Sequence, residues 1–324
     1  MTYRVVFMGT PQFAVPLLEA LVADNQYDVL AAVTQPDRPQ GRKQKLTPSP
    51  VKEAALALNL PVLQPEKISG SEEMDQILAM EPDFIVTAAF GQFLPEKLLD
   101  AAKVAAVNAH ASLLPKYRGG APVHFAIMNG DKETGVSLMY MVKKMDAGDV
   151  IDVVKVPIEA EDNVGTMFDK LSQAAAPLVL ANLPKLAAGT ASATPQDPDQ
   201  VTFSPNIARD QQNLNFATET AEKLNNHIRG LYPTHPAHAM VGDDKFKLVA
   251  TTPLDETTTA APGVITVRDK KHLVVAAANG SQLQIDQLQP AGKSVMAISA
   301  YLNGAGQKYS VGDQWINIEE SNAK

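Results

Sequence analysis

The chain has 324 residues, 45% hydrophobic and 20% charged, a composition that suits a soluble globular protein with apolar side chain enough for two cores. Its 36 acidic and 28 basic residues leave a formal net charge of −8, which argues against a protein that coats nucleic acid through its overall field. It has no cysteine, so disulfides, thiolate metal sites and a Cys nucleophile are excluded.

The opening "MTYRVVFMGTPQFAVP" reads as a first core strand and a turn rather than a signal peptide, and no run reaches the roughly 18 apolar residues a membrane span needs. A cytoplasmic protein with no membrane partner is therefore expected. "GTPQFAVP" follows that strand where a dinucleotide fold carries its glycine fingerprint, but residues 11 and 14 are Pro and Ala, which disfavours a dinucleotide cofactor. Val15 to Ala23 reads as helix, "DVLAAVT" as strand and Val51 to Asn59 as helix. "DFIVTAA" and "VAAVNAH" follow as strands, with two more at Gly135 to Met141 and Val150 to Pro157 and a helix from Val164 to about Ala188. Near-continuous apolar strands alternating with helices imply a doubly wound α/β domain with a parallel sheet covered on both faces.

From Gly189 to Arg209 the text is Pro-rich and aperiodic, the composition of a linker. Beyond it, Ala217 to Gly230 reads as helix, and short β-like runs follow at 246–250, 264–267, 273–277 and 283–288. The expected organisation is a first domain over 1–189, a linker over 190–209 and a small β-rich, barrel-like domain over 210–324.

Three features carry chemistry. Asn108 and His110 stand two apart at the end of a strand, so their side chains share a face. The amide can donate to a developing oxyanion and the imidazole can move a proton, which suits attack of an amine on a carbonyl. A histidine taken singly is most often a structural residue; position at a strand end, with "SLLP" following directly, distinguishes this one. Asp146, in the turn "MDAGDVI", makes a turn hydrogen bond on the bland reading and orients His110 or a proton-carrying water on the other. From Asp37 to Lys52 the acidic chain reverses sign, with Arg38, Arg42, Lys43, Lys45 and Lys52 against one acid in a Pro-rich loop. This is either a solvated loop or a track for a phosphate backbone. No metal is expected: His110 and His124 lack a partner at ligand spacing, and "HPAH" at 235–238 reads as a turn.

Taken together, "FMGTPQFAVPLLEAL", "TQPDRPQGRKQKLTPSPVK", the block from "NAHASLLPKYRGG" to "KKMDAGDVI", and "LQPAGK" resemble the folate-dependent formyltransferases, and the basic loop resembles those acting on initiator tRNA. The resemblance implies a Rossmann-like formyltransferase domain followed by an OB-like β-barrel domain that binds tRNA. It assigns catalysis to Asn108, His110 and Asp146. Folate contacts fall to Ser112, Leu113, Leu114 and Pro115, with Phe90, Gly91 and Gln92 walling the pocket. Arg38, Arg42, Lys43 and Lys45 would meet tRNA. The implied reaction moves the formyl group of 10-formyltetrahydrofolate to the α-amine of initiator methionyl-tRNA, by a monomer that uses no metal. One departure stands out: where the family's C-terminal domain carries an "NPWP"-like stretch, this chain has "GLYPTHPAHAM", and its one Trp is Trp315. An amino sugar nucleotide is the alternative acceptor, although a small acceptor gives the basic loop no purpose. A noncatalytic RNA-binding protein on the same fold is the alternative of another class, disfavoured by the retention of all three catalytic candidates.

Overall fold

A computed structural model describes residues 2–41 and 44–318. Contacts divide it into two compact units, one of Met1–Pro122, Glu133–Pro157 and Met167–Pro205, the other of Val123–Lys132, Ile158–Thr166 and Asn206–Lys324.

In the first unit the apolar runs become strands: β1 (Tyr3–Gly9), β2 (Tyr27–Val33), the short β3 (Arg38–Gln40), β4 (Lys45–Thr47) and β5 (Val62–Leu63), then β6 (Phe84–Ala88), β7 (Ala105–His110), β8 (Glu133–Tyr140) and β9 (Val150–Pro157). Between them lie α1 (Val15–Ala23), α2 (Pro50–Ala57), α3 (Glu72–Ala79) and α4 (Glu96–Leu99); α6 (Val164–Ala187) follows β9, and α5 (Pro122–Met128), which precedes β8 in the chain, counts almost wholly with the second unit. Helix starts follow local chemistry. Ser49 accepts from the Lys52 N–H ahead of Pro50, and Ser71 accepts from the Met74 N–H with Glu72, Glu73 and Asp75 in the first turn.

The main sheet runs β5-β2-β1-β6-β7-β8-β9. It is parallel from β5 to β7, but β8 runs antiparallel to β7 and β9 antiparallel to β8. The parallel sheet expected from the sequence is present from β5 to β7, and β8 and β9 extend it with antiparallel pairing. The link from Tyr140 to Val150 is shorter than the dozen or so residues a parallel crossover needs. The basic segment also differs from the featureless loop expected, because β3 and β4 pair as a small hairpin beside Gly41, whose φ is +68°.

The chain leaves β1 to build β2 and β5 on one side, then returns to build β6 and β7 on the other. The strand order therefore reverses between β1 and β6, and folds of this kind open a crevice at the carboxyl ends of such a pair. The ends are tied there, since the Thr10 hydroxyl donates to the Phe90 carbonyl at 2.9 Å. Beneath it, Val6, Met8, Val33, Ile85 and Phe90 pack as one buried cluster.

The second unit is an antiparallel sheet curled round its own core. Its strands β10 (His238–Val241), β11 (Asp244–Leu254), β12 (Ile265–Arg268), β13 (Leu273–Ala276), β14 (Gln282–Gln289) and β15 (Met296–Ala297) follow α7 (Ala221–Leu231) and precede α8 (Ile298–Leu302). The order is β10-β11-β14-β13-β12, with β15 on β14. Helix α7 starts later than its apolar pattern suggests because the Thr220 hydroxyl caps it on the Lys223 N–H. Its Leu224, Ile228 and Leu231 join alternate strand residues such as Phe246, Leu248, Val275, Leu283 and Ile285 in the core. Trp315 is buried there, edge-on to Phe246 at 6.2 Å between ring centroids.

Candidate active site

Strand β7 places Asn108 and His110 on one face, in its last residues before the chain leaves the sheet. The Asn108 amide is oriented from β6: the Thr87 hydroxyl, itself buried, donates to Asn108 Oδ1 at 2.7 Å. With its oxygen so engaged, the amide keeps its two Nδ2 donors for another acceptor.

His110 is buried, and its Nε2 lies 3.0 Å from the Tyr117 carbonyl oxygen. A carbonyl can only accept, so Nε2 carries a proton and Nδ1 is the nitrogen that gains or loses one. Asp146 Oδ1 stands 3.8 Å from Nδ1, too long for a hydrogen bond but close enough for a carboxylate to act on an imidazolium. The second carboxylate oxygen accepts from the Gly119 N–H at 2.9 Å.

Two glycines make this approach feasible. Gly119 has φ +126°, and a Cβ there would run into the Ser204 backbone. Gly148, two residues past Asp146, lies so close to the Tyr140 carbonyl that any side chain would collide with it. Asp146 itself has φ +48°, a left-handed conformation that a non-glycine residue adopts only where its surroundings hold it.

The loop after β7 is pinned rather than free. Ser112 is fully buried and donates to the Lys116 carbonyl at 2.7 Å, so its hydroxyl serves the loop itself. Ser137 of β8 donates to the Ser112 carbonyl at 2.7 Å and accepts from the Leu114 N–H at 3.0 Å. Leu113, Leu114 and Pro115 remain half-buried, and Leu114 and Pro115 line a groove of about 380 Å³ together with Val150 to Val153 and Thr194 to Asp197.

The loop after β6 is its neighbour in the sheet. There the Phe90 side chain belongs to the core, and the Gln92 amide is spent on the Ile68 N–H at 2.7 Å and the Pro65 carbonyl at 3.0 Å. Gly91 is exposed with φ +89°. What this loop can offer a ligand is its backbone more than the two named side chains.

Residues 3–183 match the formyl transferase family model and residues 206–306 match the formyl transferase C-terminal domain. The chain belongs to the formyl transferase family. It is 57% identical to a protein of Lactiplantibacillus plantarum named methionyl-tRNA formyltransferase, over 97% of this chain and 99% of that one. A second relative of the same name, from Enterococcus faecalis, is 56% identical over 96% of this chain and 99% of its own. Among solved structures, an N-formyltransferase from Helicobacter canadensis in complex with folinic acid and dTDP-3-aminofucose covers 88% of this chain and 99% of its own. Its TM-score is 0.67 at 17% identity, a likeness of fold.

In this formyl transferase the basic segment is less free than its composition suggests. Arg38 forms a fork-like pair with Glu66, at 2.7 and 3.3 Å, in an exposed setting. Lys52 pairs with Asp37 at 2.8 Å, and that bond, with one from Gln64, holds the Asp37 carboxyl below the usual carboxylate range. Lys45 is exposed on β4, while Arg42 and Lys43 lie outside the described residues.

Sequence reasoning missed several residues that shape the site. Thr87 is the lone polar residue of "FIVTA", the whole of β6, a signal that could have marked it. Ser137 on β8, and Tyr117, Arg118 and Gly119 after "SLLPK", carry no such mark without the geometry.

Proposed function

We propose that this chain transfers the formyl group of 10-formyltetrahydrofolate to the α-amino group of initiator methionyl-tRNA. The reading is supported by near-full-length relatives bearing that activity in their names. The chemistry rests on one observation: an amide donor and a buried imidazole share a face at the end of β7, with a carboxylate facing the imidazole.

The neutral amine attacks the formyl carbon, and the carbonyl oxygen gains negative charge as the tetrahedral centre forms. Asn108 Nδ2 donates to that oxygen, and the His110 imidazolium places positive charge beside it. His110 is held from behind by the Tyr117 carbonyl, so its response is confined to Nδ1. Asp146 offsets the imidazolium charge while the oxyanion stands, accepts the proton that the attacking nitrogen sheds, and passes that proton on to the leaving folate nitrogen as the C–N bond breaks, so the site ends with the proton count it began with. The loops at 90–93 and 112–115 would receive the folate, and the hairpin of β3 and β4 would meet the RNA.

The test supplies purified chain with formyl-labelled 10-formyltetrahydrofolate and methionyl-tRNA, alongside uncharged tRNA, free methionine and an amino sugar nucleotide. Label should move to the charged tRNA alone. Transfer to the amino sugar nucleotide instead would overturn the proposed acceptor.

A further inference from the structure

The two family matches leave residues 184–205 between them, and the later part of that stretch is bonded into the candidate site. Thr194 pairs with Val150 through two backbone hydrogen bonds, at 2.9 and 2.8 Å. Gln196 Nε2 donates to the Asp146 carbonyl at 2.9 Å and the Gly148 carbonyl at 2.7 Å. Its Oε1 accepts twice from the buried Arg118, at 3.0 Å from Nε and 2.7 Å from Nη2. Further on, Thr202 accepts from the Tyr117 N–H at 2.9 Å through its hydroxyl and from the Arg118 N–H at 2.9 Å through its carbonyl. Ser204 donates to the Tyr117 carbonyl at 3.0 Å from its hydroxyl and to the Arg118 carbonyl at 2.8 Å from its N–H.

Both partners of His110 are thus tied to one stretch: the carbonyl on Nε2 through Ser204, and the backbone turn that carries the carboxylate facing Nδ1 through Gln196. From this we infer that Gln196 and Arg118 are positioning residues that set the distance between Asp146 and His110. The proposal rests on the catalytic reading given above.

The chemistry of the pair fits the task. The Asp146 turn has a left-handed residue to hold, and one amide nitrogen supplies donors to two of its carbonyls. A guanidinium has donors only, so Arg118 forces the oxygen end of Gln196 toward itself and the nitrogen end toward the turn. The amide is also neutral. A lysine there would offer the turn a donor and a charge that competes with His110 for the carboxylate; glutamine offers donors alone.

The test uses the full chain with Gln196→Met, which keeps the bulk and loses every hydrogen bond, and Gln196→Glu, which keeps the acceptor for Arg118 and loses both donors to the turn. Both should lower kcat for formyl transfer by about 10- to 100-fold, with KM for 10-formyltetrahydrofolate held within about twofold. The pH–rate profile should be displaced, and the NMR signals of the His110 ring should move. Arg118→Lys, which keeps the charge and loses the fork, gives a smaller loss in the same direction and is read if Gln196→Met fails to fold. A Gln196→Glu protein with the parent kcat and pH profile would overturn the inference. So would a loss of rate with an unmoved profile and unmoved His110 signals, which assigns the glutamine to stability alone. Absence of formyl transfer by the parent chain sinks the proposed function instead, and the His110 signals then still decide whether Gln196 sets its surroundings.

Discussion

Asp146→Asn keeps the shape of the side chain and removes both its charge and its capacity to accept a proton. The substituted amide oxygen can still accept from the Gly119 N–H, which the carboxylate holds at 2.9 Å, so the turn keeps its anchor. What disappears is a negative charge 3.8 Å from His110 Nδ1. At that separation and an effective dielectric constant of about 20, a unit pair is worth about 4 kcal/mol, or roughly three decades of rate if the full interaction is realised only once the imidazolium stands beside the oxyanion. Single-turnover transfer of labelled formyl to methionyl-tRNA, at saturating folate, measures that step directly. The expected result is a loss of at least about 10³ in rate, since the proton acceptor goes with the charge, and little change in folate KM. A folded Asp146→Asn protein that loses less than about tenfold would refute the view that Asp146 acts on His110 through its charge.

Three further outcomes follow from the same geometry. Thr87→Val removes the hydroxyl that orients Asn108, and should cost about tenfold in kcat while folate KM holds, measured in the same assay. In the second unit, burial and the neighbouring His235 push His124 down to about 4 from 6.5. The unfolded chain therefore binds more protons between those values, and the stability contributed by the neutral ring is complete above pH 6.5 and lost as pH falls toward 4. Urea unfolding at pH 7.5 and 4.5 should show about 2 to 3 kcal/mol of acid destabilisation that His124→Gln does not share. Arg38→Ala should leave thermal stability unchanged, because its pair with Glu66 is exposed, and should flatten the salt dependence of KM for methionyl-tRNA by about one unit of slope; an unchanged slope would remove Arg38 from the RNA contacts.

The candidate pair Asn108 and His110 was legible because two polar residues at the end of an apolar strand are a local pattern: "VAAVNAH" states both the strand and the break in it. Helix α1 was legible to the residue, since Val15 to Ala23 is apolar throughout except Glu19. The orientation of β8 was not, because its apolar text reads the same in either direction and the long connection from β7 permits both; only for β9 does the short link from β8 decide. The small acidic helix α3, "EEMDQILA", buries only Met74 and Ile77, too little periodicity to stand out. Arg38 could be read as a charge but not as one already paired, since Glu66 is distant in sequence. Gln196 left no trace, because a Pro-rich composition says that a segment is irregular and nothing about the surface it lies on.

The bonds of Gln196, Thr202 and Ser204 bear on how such a chain can be divided and recombined. A crossover before Thr194, where composition alone would cut, exchanges all three side chains along with the second unit and hands the loops around His110 and Asp146 a foreign set of tethers. One placed after Pro205 leaves them with the sheet they serve. For chimaeras between relatives, the portable catalytic module therefore ends at Pro205, and inheritance of the intervening stretch with the sheet becomes a constraint on modular exchange.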